Sequence, residues 1–266
     1  ETKFGVGSEL AKMVVAAVKS NASAGRSNFP AMKCVPLSYA DTDFGTADAA
    51  LTAAKNVKAE FIVSCYDGTE TALTTKLKEH CATVSGAQRV ENNQYGSIGI
   101  VANFDVADPA NLPVLDTQYI APVYLRDSNA NAYTVGELAA AYAACLAGNV
   151  APFVPVNGYV LGGVTAPSDE QDNLSIGAGL ESETALGKGW CPLRVKPNGE
   201  VAVVRSVTSR TTTNGTTAAT SYYDVQDFQV LYYWRKTVYA RLTQPDLVNV
   251  KASNETAREI KAELVR

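Results

Sequence analysis

The chain has 266 residues, 46% of them hydrophobic, enough to bury one large core or two small ones. Its 23 basic and 27 acidic residues give a net charge of −4, without the basic excess of a dedicated nucleic-acid binder. Five scattered cysteines (Cys34, Cys65, Cys81, Cys145 and Cys191) show no CxxC or Cys/His metal spacing, so reduced thiols in an intracellular compartment are expected.

Residues 6–22 read as a helix, with Ser8 as N-cap and Leu10, Met13, Val14, Ala17 and Val18 as its apolar stripe. A strand is expected from Met32, tempered by Pro36, and then a short helix over ADAALTAAKN. The apolar run EFIVSCY (Glu60 to Tyr66) predicts a strand covered on both faces. A helix follows from about Thr69 to Ser85, and then strands at Gly96 to Phe104 and Asp116 to Leu125. Thr134 and Glu137 form a capping-box pattern for a helix running to Gly148. Alanines at 139, 140, 143, 144 and 147 keep that helix thin, so it can pack closely. Strands alternating with helices predict an α/β layer, a largely parallel sheet with helices on both faces, over residues 1–160. The longest apolar stretch, Leu138 to Val150, is too short to span a bilayer, and no signal peptide is evident.

The pattern changes after Pro155, and residues 161–266 read as an α+β region packed on the first. The extended GYVLGGVTAP leads into a polar loop, then a short helix near Glu181 to Leu186. A β-hairpin is expected around Pro197-Asn198-Gly199, because Asn-Gly is the preferred pair where both central turn residues need φ > 0. After the polar loop TTTNGTTAATS a long helix is expected, starting at Ser221 or Asp224, with Phe228, Leu231, Tyr232, Arg235, Val238, Tyr239 and Leu242 at helical spacing.

Few residues suggest chemistry. His80, the sole histidine, neighbours Cys81 on a predicted helix, where side chains diverge by about 100°, so the two do not form a nucleophile pair. No phosphate-binding GxGxxG or GxxxxGK[ST] occurs. The acidic loop Asp169, Glu170, Asp172 lacks EF-hand spacing and reads as solvated. Asp41, Asp43 and Asp67 follow predicted strands, where α/β enzymes keep their acids, but turn formation explains them as well. Neither catalytic residues nor a metal or cofactor site is assigned. Arg194, Arg205 and Arg210 on the hairpin either keep a strand face soluble or form a positive stripe that meets an acidic partner. Tyr222, Tyr223, Tyr232, Tyr233, Trp234 and Tyr239 are too many aromatics for one helix face, so some serve the core and others are either plainly exposed or at a contact. Arg194, Arg205, Arg210, Tyr233 and Trp234 are the candidate assembly interface.

Three segments carry a resemblance: VTAPSDEQDNLS (Val164 to Ser175), PLRVKPNGEVAVVRSVTSRTT (Pro192 to Thr212) and SYYDVQDFQVLYYWRKTVYARL (Ser221 to Leu242). With FGVGSELAKMV near the start, their order resembles the tail sheath proteins of contractile-tailed bacteriophages, the Mu-like group in particular. Tyr223-Asp224-Val225, Leu231, Tyr233 and Arg235 stand where that family opens its long helix. The resemblance implies a structural subunit, with no cofactor, no nucleic-acid partner and no membrane binding. Copies would stack helically as hexameric rings around a tail tube, above a baseplate, and contract to drive the tube through the host envelope. It implies a location in the virion tail, and in the host cytoplasm before assembly. Tailocin and type VI secretion sheaths are the nearest variants. The family's outer segments, which join neighbours by adding strands to a sheet edge, are mostly missing. The chain begins at Glu1 and ends on a charged helical pattern, so a core fragment, monomeric on its own, is expected. The rival readings are an α/β enzyme using an acid such as Asp67 at the sheet's carboxyl edge, and a non-enzymatic binding module.

Overall fold

The computed structural model describes residues 7–23, 31–35, 45–55, 57, 59–86, 96–104, 106–126, 133–149, 151–167, 180–213, 215–218, 221–243, 253, 257–258 and 260–262. The expected sites Asp41, Asp43, Asp169, Glu170 and Asp172 lie outside them.

A five-stranded sheet has β1 (Phe61–Asp67), β2 (Ile98–Asn103), β3 (Ile120–Tyr124), β4 (Cys191–Val195) and β5 (Val201–Val203) side by side in chain order. The first four pair in parallel and β4–β5 is antiparallel. The hairpin's first strand therefore continues the sheet of the first half. The α/β class expected from the alternating pattern is the one observed. β2 and β3 are buried at every position, as continuous apolar runs covered on both faces should be. β1 is instead only half-buried, because it forms the sheet's edge. The strand expected from Met32 is absent from residues 31–35, which have no regular structure; its remainder lies outside the described residues.

α4 (Val135–Ala147) lies on one face of the sheet and α3 (Thr71–Ser85) on the other. The period-two alternation of strand side chains separates the two cores. Ile98, Ile100 and Ala102 pack with Leu138, Ala139 and Tyr142, whereas Val101 packs with Leu77 and Cys81. Gly99 lets α3 approach closely, since a Cβ there would stand 2.7 Å from the Leu77 side chain. α2 (Gly45–Ala54) touches α3.

The capping box is present: the Thr134 hydroxyl accepts from Glu137 N, and Glu137 Oε2 accepts from Thr134 N at 2.7 Å. The alanine face of α4 admits α1 (Glu9–Ser23) at close range, with Met13 and Ala17 against Ala140 and Ala144. The Ser8 hydroxyl caps α1 by accepting from Ala11 N at 3.3 Å. Ser20 Oγ donates to the Ala141 carbonyl at 2.8 Å, pinning the two helices together.

The hairpin turn differs from expectation. Gly199 has φ +81°, but Asn198 is not among the residues with positive φ. Pro197 has no N–H to donate back to Glu200, a bond that a two-residue Asn-Gly turn would require of it. Gly199 N instead donates to Lys196 O at 2.9 Å, and Lys196 N to Glu200 O at 2.7 Å. This is the three-residue hairpin loop whose glycine takes the left-handed position. The outer edge of β5 is covered by residues 158–161, which exchange backbone hydrogen bonds with Val201 and Val203.

Candidate assembly interface

The carboxyl edge of a parallel sheet is where α/β proteins place ligands. Among the described residues, Trp190 and Asp67 occupy part of it. Trp190 is fully buried, donates from Nε1 to Pro113 O at 2.9 Å, and packs with Leu112, Tyr124 and Ala185. Its ring sits so close to Gly68, just after β1, that a Cβ there would lie 2.7 Å from it. The Asp67 carboxylate accepts from Thr69 N at 2.7 Å, from Thr69 Oγ1 at 2.6 Å and from Asn103 Nδ2 at 2.9 and 3.0 Å. The bonds from Asn103 tie β1 to β2, and those from Thr69 fix the turn after β1. Neither Trp190 nor Asn103 stands out in the sequence, because what makes them matter is a contact between distant segments.

Among the described residues no cluster of His, Cys, Asp and Glu could hold a metal, and no helix is long and apolar enough to cross a membrane. All five cysteines are free thiols. Burial pushes the Cys191 thiol up to about 12 and the Cys81 thiol well above the usual range. Both are inert packing groups.

The long helix α6 (Val225–Leu242) is anchored mainly at its start. Val225, Phe228, Gln229 and Tyr232 are buried. Phe228 meets the rings of Tyr119, Tyr222 and Tyr232 at centroid distances of 6.1, 4.9 and 5.4 Å. The entry to the helix is laced to the strand exit: Thr208 N donates to Tyr223 O at 2.7 Å, and Thr208 Oγ1 to Tyr222 O at 2.6 Å. Asp224 is the N-cap residue, but its side chain makes no capping bond and faces Arg205 instead.

The predicted stripe along α6 holds as far as Tyr232 and then runs out of partner surface: Leu231, Arg235, Val238 and Leu242 are half-buried and Tyr239 is exposed. A second apolar set lies on the opposite face. Val230 is 39% exposed, Tyr233 58% and Trp234 56%, at positions i, i+3 and i+4. The helix thus carries large apolar side chains away from the sheet as well as toward it. Covering the exposed part of each ring, roughly 100 Å², would gain about 2.5 kcal/mol. The spacing of Val230, Tyr233 and Trp234 is a signal that could have marked this second face in the sequence; the expectation of a contact rests on the crowding of aromatics alone.

The three arginines do not form one stripe. Arg194, on β4, is exposed and has no ion pair among the described residues. Arg205 lies past the end of β5, pairs with Asp224 and stacks 5.1 Å above the Tyr223 ring. The Asp224 hydrogen bond raises the Arg205 pKa further. Arg210 donates to Gln118 Oε1 and lies 5.6 Å over the Tyr222 ring. Arg205 and Arg210 thus flank the entry to α6, and Arg194 stands apart.

A fold of this class, a mostly parallel sheet between helices with a hairpin strand added and a long two-faced helix leaving it, has relatives among solved structures. No protein-family model matches the chain, and no curated protein is similar to it in sequence. The sheath tail protein of Listeria innocua is similar with a TM-score of 0.60 at 15% identity, over 83% of this chain and 47% of that one. The sheath tail protein of Desulfitobacterium hafniense is similar with a TM-score of 0.60 at 13% identity, over 90% and 53%. The helical sheath of the anti-feeding prophage in its contracted state is similar with a TM-score of 0.62 at 15% identity, over 98% and 66%. The chain spans about half of the first two structures and about two-thirds of the third. The likeness establishes the fold.

Proposed function

We propose that this chain is a structural subunit of a contractile tail sheath, and not an enzyme. The observation that carries the reading is the fold likeness to sheath proteins, which extends over 98% of the chain in the contracted anti-feeding prophage sheath. Two features of the molecule support it. Part of the ligand edge of the sheet is occupied by Trp190 and the Asp67–Asn103 pair, and α6 presents an unpartnered aromatic face. In this reading the chain packs against copies of itself, a tail tube and a baseplate in a phage-like tail, and Arg194, Tyr233 and Trp234 serve its contacts. The order of the Ala-Pro loop, Asn-Gly hairpin and YDV helix start in the sequence is the ground for placing it with the Mu-like group. Residues 1–160 and 161–266 would move together, because β4 of the second part pairs with β3 of the first.

Negative-stain microscopy of the protein co-expressed with its neighbouring genes tests the proposal. Hollow sheath-like tubes containing this chain support it. Discrete particles that bind a small molecule overturn it in favour of the enzyme.

A further inference from the structure

Beside the exposed face of α6 lies a shallow crevice of about 130 Å³ between α6, the end of α4 and the start of β1. It is rich in acceptors. Gln229, 4% exposed, turns its Oε1 to no partner, while its Nε2 makes only long contacts of 3.5 Å to Glu60 Oε1 and Leu146 O. Asn149 Oδ1 is likewise buried without a partner. The Glu60 carboxylate and the C-terminal end of α4, the negative end of the helix dipole, complete the lining. Lys236 also lines the crevice and its charge acts on Glu60, yet these two amide oxygens remain without a donor. Buried acceptors left unpaired are costly, so the crevice is suited to receive a donor. Tyr233 lines both the crevice and the exposed patch, so the two are one surface.

We propose that this surface receives the β4 side of a second copy of the chain, with Arg194 of that copy entering the crevice and Trp234 covered beside it. The inference rests on the self-assembling reading above. A guanidinium group carries five donors and suits a carboxylate flanked by amide oxygens. The contact cannot form within one chain. Pairing Phe61 with Ile98, Gly99 with Ile120 and Val123 with Cys191 puts Glu60 level with Gln118 and Arg194 level with Arg126. That is eight residues along the strands, roughly 26 Å, and three strands across, roughly 14 Å. Arg194 also projects from the face opposite to Leu193 and Val195, which join the α4-side core. Donor and receptor patches are therefore different surfaces, and such head-to-tail contacts propagate into rings or helical arrays.

Sedimentation velocity of this chain from micromolar to about 1 mM, read with Trp fluorescence, tests the contact. Trp190 is buried, so of the two tryptophans only Trp234 should shift to the blue on docking. Concentration-dependent association is expected; Arg194→Glu and Glu60→Arg should each weaken it about tenfold, and the two mutants mixed should associate again. Trp234→Ala, at an exposed position, should weaken it too without disturbing the fold. No association at about 1 mM, unchanged association in the single mutants, or no rescue in the mixture would overturn the inference. The sheath reading would survive each of those outcomes, since tubes in the microscope judge it separately.

Discussion

Arg205 and Asp224 meet in a two-pronged ion pair, Nε donating to Oδ1 and Nη2 to Oδ2, each at 2.9 Å. The pair clamps the strand exit after β5 to the N-cap residue of α6. Both side chains are partly exposed, so its worth is that of a surface pair with good geometry, about 1 kcal/mol. Arg205→Ala should lower stability by that amount, read as a drop in the urea midpoint. Exchanging the two charges, Arg205→Asp with Asp224→Arg, should recover part of the loss. Equal stability of Arg205→Ala and wild type would show the clamp to be decorative. An assembly defect from reversing Arg205 alone must therefore be compared with the exchanged pair before it is ascribed to a neighbour.

Gly162 packs directly against α1. A Cβ there would stand 1.8 Å from Ser23 Oγ and 2.5 Å from the Lys19 carbonyl oxygen. The hydroxyl can rotate away but the helix backbone cannot. Gly162→Ala should cost about 2–3 kcal/mol, in the range of overpacking. Gly187→Ala, where nothing lies within 4 Å, is the matched control and should change little. Thermal unfolding followed by circular dichroism distinguishes the two.

What was legible in the sequence was local. The Thr134–Glu137 capping box, the alanine face of α4 and the buried runs of β2 and β3 each lie within one element, where spacing alone encodes the answer. What was not legible depends on neighbours. EFIVSCY reads as a covered strand, yet its place at the sheet edge leaves it half-buried. Asn-Gly signals a hairpin, but the preceding Pro197 chose the loop type. Of the five interface candidates, only the exposure of Arg194, Tyr233 and Trp234 suits a surface role without qualification. Arg205 and Arg210 have intramolecular partners that no spacing rule announces.

Asp116 holds a left-handed backbone, φ +42°, and its carboxylate gathers the Thr211–Thr212 segment. Oδ1 accepts from Thr211 N at 3.0 Å and from Thr212 N at 2.9 Å. Oδ2 accepts from Thr212 Oγ1 at 2.5 Å. Burial alone would raise its pKa; the hydrogen bonds from Thr212 and then Thr211 outweigh it, and the net shift is downward. A carboxylate with a depressed folded pKa adds stability above its unfolded pKa, about 3.9, and loses it as pH falls through the folded value. Asp116→Asn keeps a residue tolerant of the left-handed region and removes the charge. The mutant should be less stable than wild type at neutral pH, and the gap should narrow below about pH 4. A gap independent of pH would mean that shape, not charge, holds the segment.

The two faces of α6 should respond oppositely to truncation. Phe228 is 3% exposed and meets three aromatic rings, so Phe228→Ala should cost about 3–5 kcal/mol and loosen the helix from the sheet. Trp234 and Tyr233 project into solvent, so alanine at either should stay within about 0.5 kcal/mol of wild type. If α6 were simply a surface helix, nothing further would follow from those two changes. If its outer face is a contact, the same mutants should fold normally and fail in assembly, because a desolvated aromatic anchor costs about 2 kcal/mol or more to remove from an interface. Chemical denaturation set beside an assembly assay separates the cases. Large destabilisation by Trp234→Ala would place that ring in the monomer's own packing and end its assignment to a neighbour.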